Sequence, residues 1–196
     1  LGDVYKRQGY VPQDLALMEE MNAYDNLEFF GALYGLKGKI LKERISEALK
    51  VTGLEDSRKQ KVKKFSGGMK RRLNLAVAIL HHPKVLILDE PTVGVDPQSR
   101  NHIFSFVKNI CKEWGTTVIY TSHYMEEIEE LCKRVFIIDL GKEISYGDRE
   151  DIKASVFPNN KVIIEAQDIT GETIMALKDD EGIIKVGDKE LSLIHI

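Results

Sequence analysis

Residues 65–97 read FSGGMKRRLNLAVAILHHPKVLILDEPTVGVDP, and this stretch decides the fold. It begins with a good helix N-cap, Ser66, followed by two glycines that leave the backbone amides open to a ligand. The next residues place Leu73, Val77 and Leu80 on one helical stripe, and Pro83 ends the helix. Because the N-terminal end of a helix is its positive end, the Ser-Gly-Gly segment is suited to contact a phosphate group.

An unbroken apolar run, residues 85–88, follows the proline. It predicts a strand that is buried on both faces of a parallel sheet. Asp89 and Glu90 stand at its C-terminal end, where open α/β sheets bind ligands. Because successive side chains of a strand point to opposite faces, one carboxylate can reach a metal while the other takes a different role.

Upstream, Gln13 lies in a predicted loop just after a strand end. Tyr10 and Val11 are typical of a strand, and Pro12 forces the chain into a loop. The side-chain amide of a glutamine at this place can offer its oxygen to a metal or to a water molecule.

Two helices are predicted between this loop and the Ser-Gly-Gly segment. Asn22 caps the first, which runs to Tyr34 before two glycines interrupt it. The second spans residues 40–52 and ends at Gly53. Together with the following helix they predict a helical subdomain at about residues 22–82. The expected apolar face of the first helix comprises Leu27, Phe30, Leu33 and Tyr34.

Downstream, Pro97 is well placed as the first residue of a helix that continues to about Lys112. We expect Cys111 to pack beside its apolar stripe as a small hydrophobic residue, and Gly115 to end the turn. A strand follows at residues 116–120. The inward-facing residues of this helix are predicted to be Ile103, Phe106, Val107 and Ile110.

A histidine, His123, follows the end of that strand. An acidic helix is predicted at residues 124–131, and a hairpin at residues 134–146 turns at Leu140-Gly141. A short helix is expected to start at 147–148.

The pattern weakens beyond about residue 155. We expect a small C-terminal accessory segment at residues 156–190, with strands at 161–166 and 182–186, one or two helical turns at 171–178, and no evident chemistry. Residues 1–8 and 191–196 do not continue the neighbouring patterns, and we expect them to be non-native ends.

Composition excludes several classes of protein. A formal net charge of −3 argues against a dedicated nucleic-acid binder, so no nucleic-acid partner is expected. The basic residues at 58–64 and 70–72 are interpreted as a solvated face. No apolar run approaches the roughly 20 residues that span a bilayer.

Two separated cysteines, Cys111 and Cys132, favour the cytoplasm over an oxidising compartment. The adjacent pair His81-His82 has no third ligand and is interpreted as a helix C-terminal feature.

The ordered motifs resemble those of the ATP-binding-cassette (ABC) ATPases. Ser66-Gly67-Gly68 resembles the signature motif, residues 85–90 resemble the Walker B strand with the catalytic Glu90, and residues 94–96 resemble the D-loop. Gln13 resembles the Q-loop glutamine and His123 the H-switch. This combination, continuous from residue 9 to about 155, is far more specific than any one motif.

The resemblance implies a fold and a set of roles. The expected fold is α/β, a P-loop NTPase (RecA-like) parallel sheet core with a helical subdomain, at residues 9–155. The implied cofactors are ATP and Mg²⁺. Glu90 is then the general base or water-positioning group, Asp89 and Gln13 contact the metal, and His123 contacts the γ-phosphate and orients Glu90. The implied nucleotide contacts across a dimer are Ser66, Gly67 and Gly68, with Asp96 bridging the two subunits.

One motif of the class is not found. An ATPase of this type needs Gly-x-x-x-x-Gly-Lys-Ser/Thr for the β- and γ-phosphates, and the nearest match, Gly38-Lys39, is followed by Ile40. The resemblance places this loop, with the N-terminal strands of the sheet, ahead of Gln13. We therefore expect an N-terminally truncated cassette that has no measurable ATPase by itself.

The resemblance also implies partners. Met69-Lys70-Arg71-Arg72 is similar to cassettes of exporter type, which pair head to tail with a second nucleotide-binding domain. Such cassettes dock on a transmembrane permease subunit, at the inner face of the cell membrane, and exposed aromatic residues near Phe29, Phe30 and Tyr34 are candidates for that contact. Two alternatives stay open: a soluble ABC ATPase of DNA repair or ribosomes, and a catalytically incomplete interaction module. Residues 14–65 lack the sustained heptads of repair ATPases.

Overall fold

The structure, a computed structural model, describes residues 7–156, 161–164, 183–186 and 191–194. The chain divides into two compact units, Leu1–Cys132 and Lys133–Ile196. The sequence pattern instead weakens near residue 156, and the predicted domain bounds stay a prediction.

The first unit contains a parallel sheet of three strands in the order β1-β2-β3. These are β1 (Gln8–Val11), β2 (Val85–Asp89) and β3 (Thr117–Thr121). Val11 pairs with Leu88, and Asp89 pairs with Thr121, so the three strands end at one edge. The predicted α/β class with a parallel sheet is confirmed.

The two faces of this sheet are buried to different extents. Leu86 and Leu88 are fully buried on the face that packs on helices, whereas Ile87 is half-buried and Ile119 is 51% exposed. The expectation that β2 is buried on both faces is therefore wrong, because the described residues cover only one face fully. On the covered face the fit is tight: a Cβ atom at Gly9 would lie 2.4 Å from the carbonyl oxygen of Ala78.

Three helices lie between β1 and β2. They are α1 (Ala23–Leu33), α2 (Gly38–Val51) and α3 (Gly67–Ile79). Asn22 caps α1 as predicted, because its Oδ1 accepts a hydrogen bond from the amide of Asp25 at 2.8 Å. The start of α2 lies two residues ahead of the predicted one.

The predicted apolar face of α1 is correct except at Leu33, since Tyr34 at the far end is half-buried and stacks on His81. Leu27 is fully buried, but Leu33 is 69% exposed. Six residues at about 100° each place Leu33 roughly 240° around the helix from Leu27, so the two cannot share a stripe. Phe30 is half-buried, and Phe29 is 39% exposed.

Helix α3 is buried around most of its circumference. The predicted stripe of Leu73, Val77 and Leu80 is buried, and so are Leu75 and Ile79 on other sides. Helix α3 packs against α1, α2 and β1, and also against the helix that follows β2. It is therefore the central element of this unit.

The helix after β2 is α4 (Pro97–Trp114), and α5 (Met125–Leu131) follows β3. Pro97 is the first residue of α4 and Gly115 ends it with φ 64°, both as predicted. Cys111 is exposed, so the prediction that it packs beside the apolar stripe as a small hydrophobic residue is wrong: it lies about 40° beyond Val107, the edge of the buried stripe. That stripe is the predicted one, namely Ile103, Phe106, Val107 and Ile110.

The second unit begins with an antiparallel hairpin of β4 (Arg134–Asp139) and β5 (Lys142–Asp148). Leu140 and Gly141 both have positive φ, as a tight two-residue hairpin turn requires. Helix α6 (Arg149–Val156) begins after Asp148, later than predicted.

A second sheet has the order β6-β8-β7, with β6 (Lys161–Ile164), β7 (Ile183–Val186) and β8 (Leu191–Ile194). Strands were predicted at 161–166 and 182–186. The predicted helical turns at 171–178 lie outside the described residues. Residues 191–194 form the middle strand, and the interpretation of the chain ends as non-native stays a prediction.

Within the described ranges, no helix has the length and apolar character needed to cross a lipid bilayer.

Candidate functional site

The site lies at the C-terminal edge of the parallel sheet. Gln13 follows β1, Glu90 follows β2 and His123 follows β3. Because the three strands are parallel and in register, their ends bring these side chains together.

Glu90 is the centre of the cluster. Gln13 donates a hydrogen bond from Nε2 to one carboxylate oxygen of Glu90 at 3.0 Å, and His123 Nδ1 lies 3.2 Å from the other. The backbone of Glu90 has φ 44°, a conformation that costs about 1–3 kcal/mol outside glycine. Its amide donates to Thr121 Oγ1 at 3.0 Å, which helps to hold this conformation. The strained backbone and these hydrogen bonds together place the Glu90 carboxylate between Gln13 and His123.

Asp89 has a different environment from its neighbour. Its Oδ1 accepts a hydrogen bond from Thr121 Oγ1 at 2.8 Å, and its Oδ2 accepts one from the Tyr10 hydroxyl at 3.4 Å. The sequence predicted two separate roles for Asp89 and Glu90, and in the structure their two carboxylates have separate partners. Tyr10 and Thr121 were not predicted as site residues; the register of the flanking strands is the signal that identifies them.

The Ser66-Gly67-Gly68 segment starts α3, as predicted. Ser66 Oγ accepts a hydrogen bond from the amide of Met69 at 3.2 Å. A Cβ atom at Gly68 would lie 2.0 Å from Ser99 Oγ, whereas one at Gly67 would meet nothing within 4 Å. Gly68 therefore permits close packing against the start of α4, and Gly67 leaves an open surface.

Asp96 caps α4. Its Oδ1 accepts a hydrogen bond from the amide of Ser99 at 2.9 Å. This backbone hydrogen bond, with one from the Ser99 hydroxyl, lowers the pKa of the Asp96 carboxyl. In the single chain Asp96 is thus an ionised helix cap, and its predicted role as a bridge between subunits stays a prediction.

Arg71 links α3 to the loop of Gln13. Its guanidinium is buried and donates to the carbonyl oxygens of Pro12 at 2.9 Å and of Gln13 at 2.7 Å. Burial lowers its pKa, and Asp14 partly opposes this. The prediction that residues 70–72 form a solvated face is wrong for Arg71, and also for Arg72, which donates to two carbonyls at the end of α2.

The histidine pair has structural contacts, as the sequence indicated. His81 stacks on Tyr34 with ring centroids 4.0 Å apart, and one ring nitrogen lies 2.9 Å from the carbonyl oxygen of Gln8. His82 stacks on Trp114 and lies 2.7 Å from a carboxylate oxygen of Glu47. Among the described residues, no three His, Cys, Asp or Glu side chains cluster as a metal-binding group.

The chain is similar to ATP-binding proteins of known transporters. The family profile described as ABC transporter matches residues 2–93. The linearmycin resistance ATP-binding protein LnrL of Bacillus subtilis (strain 168) is 44% identical over 185 residues, which cover 94% of this chain and 59% of that protein. The daunorubicin resistance ATP-binding protein DrrA3 of Streptomyces coeruleorubidus is 39% identical over 76% of this chain and 46% of its own length.

A third relative is the Nod factor export ATP-binding protein I of Cupriavidus metallidurans, 35% identical over 88% of this chain and 55% of that protein. The chain thus spans about half to three-fifths of the length of these curated relatives. Among solved structures, CbiO1 of Clostridium perfringens, part of the ABC transporter complex CbiONQ, matches with a TM-score of 0.71 and 30% identity. That match covers 79% of this chain and 62% of CbiO1.

Proposed function

The chain belongs to the ABC family of transporter ATPases, and we propose that its site hydrolyses ATP to drive transport across a membrane, in the export direction. The observation that carries this proposal is the Glu90 carboxylate, which lies between Gln13 and His123 and next to Asp89. A carboxylate between an amide and an imidazole is suited to orient a water molecule and to accept its proton.

Each side chain has a distinct role in this proposal. Glu90 orients the attacking water and accepts its proton. Gln13 and His123 fix the position of that carboxylate from two sides, and the imidazole of His123, 55% exposed, can also contact the γ-phosphate. Because Glu90 is held by contacts from β1 and β3, it needs little reorganisation when substrate binds.

The donor set fits Mg²⁺. Asp89 supplies a hard carboxylate oxygen, and Gln13 can turn its amide oxygen to the same edge, while Mg²⁺ usually takes one or two protein oxygens together with phosphate oxygens and water. When bound, Mg²⁺ supplies charge neutralisation for the phosphates. Thr121 and Tyr10 orient Asp89 through its two oxygens.

We further infer that Ser66, Gly67 and Gly68 contact the nucleotide of a second nucleotide-binding domain, paired head to tail. The exposed amide surface at Gly67, at the positive end of a 13-residue helix, supports this. A permease subunit would hold the pair at the inner face of the membrane. Export as the direction is supported by relatives named for resistance or for export.

The experiment supplies the phosphate-binding loop that these 196 residues do not contain. Residues 9–196 are fused behind the Gly-x-x-x-x-Gly-Lys-Ser/Thr segment of an ABC ATPase, and phosphate release is measured with Mg²⁺. We expect turnover that Glu90→Gln lowers by about a hundredfold or more. Glu113→Gln, at an exposed glutamate of α4, is the matched control and should leave turnover unchanged.

The 196-residue chain alone is measured in parallel and is expected to show no measurable ATPase. Turnover in the fusion that survives Glu90→Gln would contradict the role proposed for Glu90. Robust hydrolysis by the unfused chain would contradict the need for the loop.

A further inference from the structure

Helix α5 contains a buried acidic residue that the proposed chemistry does not use. Glu127 is 1% exposed, whereas Glu126 beside it is exposed. Burying a carboxylate costs several kcal/mol unless hydrogen bonds and charges compensate it. The contacts that compensate Glu127 therefore indicate what the residue holds in place.

Both carboxylate oxygens of Glu127 accept hydrogen bonds. Oε1 accepts one from Thr92 Oγ1 at 2.6 Å, and Oε2 accepts one from the Tyr120 hydroxyl at 2.9 Å and one from Ser122 Oγ at 2.8 Å. Arg100 Nε lies 3.6 Å from Oε1, which is an ion-pair distance and too long for a hydrogen bond. Burial raises the pKa of Tyr120, so its phenol remains a hydrogen-bond donor at neutral pH.

The two oxygens face two different functional segments. Thr92 lies in the turn between Glu90 and Asp96, and its carbonyl accepts the amide of Val95. Ser122 lies immediately before His123, and its Oγ also accepts the amide of Tyr124 at 3.0 Å. One rigid carboxylate thus connects the segment that carries Glu90 to the segment that carries His123.

We propose that Glu127 is a positioning residue that sets the separation of Glu90 and His123 by holding their two loops on opposite oxygens of one buried carboxylate. This inference rests on the proposed function of the Glu90 site. It predicts that a change in one loop alters the other loop through Glu127. A residue that only fills the core would not couple the two loops in this way.

The first test is amide hydrogen exchange by NMR on the full 196-residue chain. In Glu127→Gln, the new amide nitrogen cannot accept a hydroxyl hydrogen bond, so at least one loop loses its anchor. We expect exchange in residues 92–96 and 121–124, which include the hydrogen-bonded amides of Val93, Val95 and Tyr124, to rise roughly tenfold, the effect of losing one hydrogen bond to a charged group. Glu126→Gln is the matched control on the same helix and should change neither loop.

The second test uses milder variants, in case Glu127→Gln does not fold. Thr92→Val removes only the bond to Oε1, and Ser122→Ala removes one bond to Oε2. We expect Thr92→Val to raise exchange and shift the NMR signals at residues 122–124 as well, and Ser122→Ala to do the same at residues 92–96. Effects confined to the mutated loop would overturn the proposal.

The third test separates this inference from the proposed function. In the active fusion, Glu127→Gln should lower kcat about tenfold to a hundredfold, because the reacting groups are misplaced, while KM for ATP changes little. An unchanged kcat overturns the inference even where ATP is hydrolysed. If no variant of the fusion hydrolyses ATP, the proposed function fails, and the exchange measurements still decide whether Glu127 couples the loops.

Discussion

Two adjacent glycines, Gly67 and Gly68, have different surroundings although both lie in the first turn of α3. The open surroundings of Gly67 allow a side chain, and alanine in a helix is about 1 kcal/mol more favourable than glycine. At Gly68 a Cβ atom would lie 2.5 Å from the Cβ of Ser99 and 3.0 Å from an oxygen of Asp96. The same substitution should therefore have opposite effects at the two positions.

We predict that Gly68→Ala lowers the free energy of unfolding by about 1–3 kcal/mol, because α3 and α4 must move apart. Gly67→Ala should leave it unchanged or raise it. Urea unfolding followed by circular dichroism measures both. A Ser99→Gly change, which makes room for the new methyl group, should restore part of the stability lost in Gly68→Ala. An equal change in unfolding free energy in Gly67→Ala and Gly68→Ala would contradict the difference in packing between the two glycines.

At the scale of elements, Arg71 connects α3 to the Gln13 loop through two hydrogen bonds. Its guanidinium satisfies two successive carbonyl groups, and removing it leaves both partly buried hydrogen bonds without their donor. Neighbouring Arg72 offers a matched comparison, because it donates to the carbonyls of Thr52 and Gly53 instead.

We predict that Arg71→Met raises amide exchange in the segment after Pro12, residues 13–18, where the amide of Met18 donates to Asn26, by about tenfold or more, since hydrogen bonds from charged groups contribute about 1.5–3 kcal/mol. Arg72→Met should raise exchange at residues 52–54 and leave the Gln13 loop unchanged. Hydrogen exchange with mass spectrometry resolves the two segments. The same pattern in both variants would mean that the effect is general destabilisation.

Local rules predicted the ends of elements well. Asn22, Ser66, Pro97 and Gly115 begin or end helices as expected, because caps depend on chemistry within four residues. The convergence of Gln13, Glu90 and His123 was inferred through the resemblance and through the common edge of parallel strands.

The features that were missed depend on contacts far apart in sequence. Arg71 lies in a basic run that was interpreted as a solvated face, and Glu127 lies in the predicted acidic helix, where it was given no role. The partners of Arg71 lie 58–59 positions away, and Glu127 accepts one hydrogen bond from Thr92, 35 positions away, besides those from Tyr120 and Ser122. Leu33 and Cys111 were predicted from their hydrophobicity to pack on or beside the apolar face of their helices. Their angular positions place them outside the buried stripe.

At the scale of the whole molecule, the covered face of the sheet holds the first unit together. Val11, Leu86 and Leu88 lie on it and are fully buried, and α3 packs against β1 there. His81, just beyond the end of α3, joins this region to α1 by stacking on Tyr34 and to β1 through the Gln8 carbonyl. A change of charge at His81 therefore affects several elements at once.

Burial lowers the pKa of His81; the Gln8 hydrogen bond opposes this and His82 adds to it. The unfolded chain therefore binds this proton at a higher pH than the folded chain does. The contribution of neutral His81 to the stability of the fold is complete above about pH 6.5. It is lost as the pH falls from there towards the pKa of His81 in the folded chain.

We predict that His81→Phe, which keeps the stacking on Tyr34, reduces the loss of unfolding free energy between pH 7.5 and 5.5, measured by urea unfolding. His102→Gln, at an exposed histidine of α4, is the control, and an unchanged pH dependence in His81→Phe would assign the acid sensitivity to other groups.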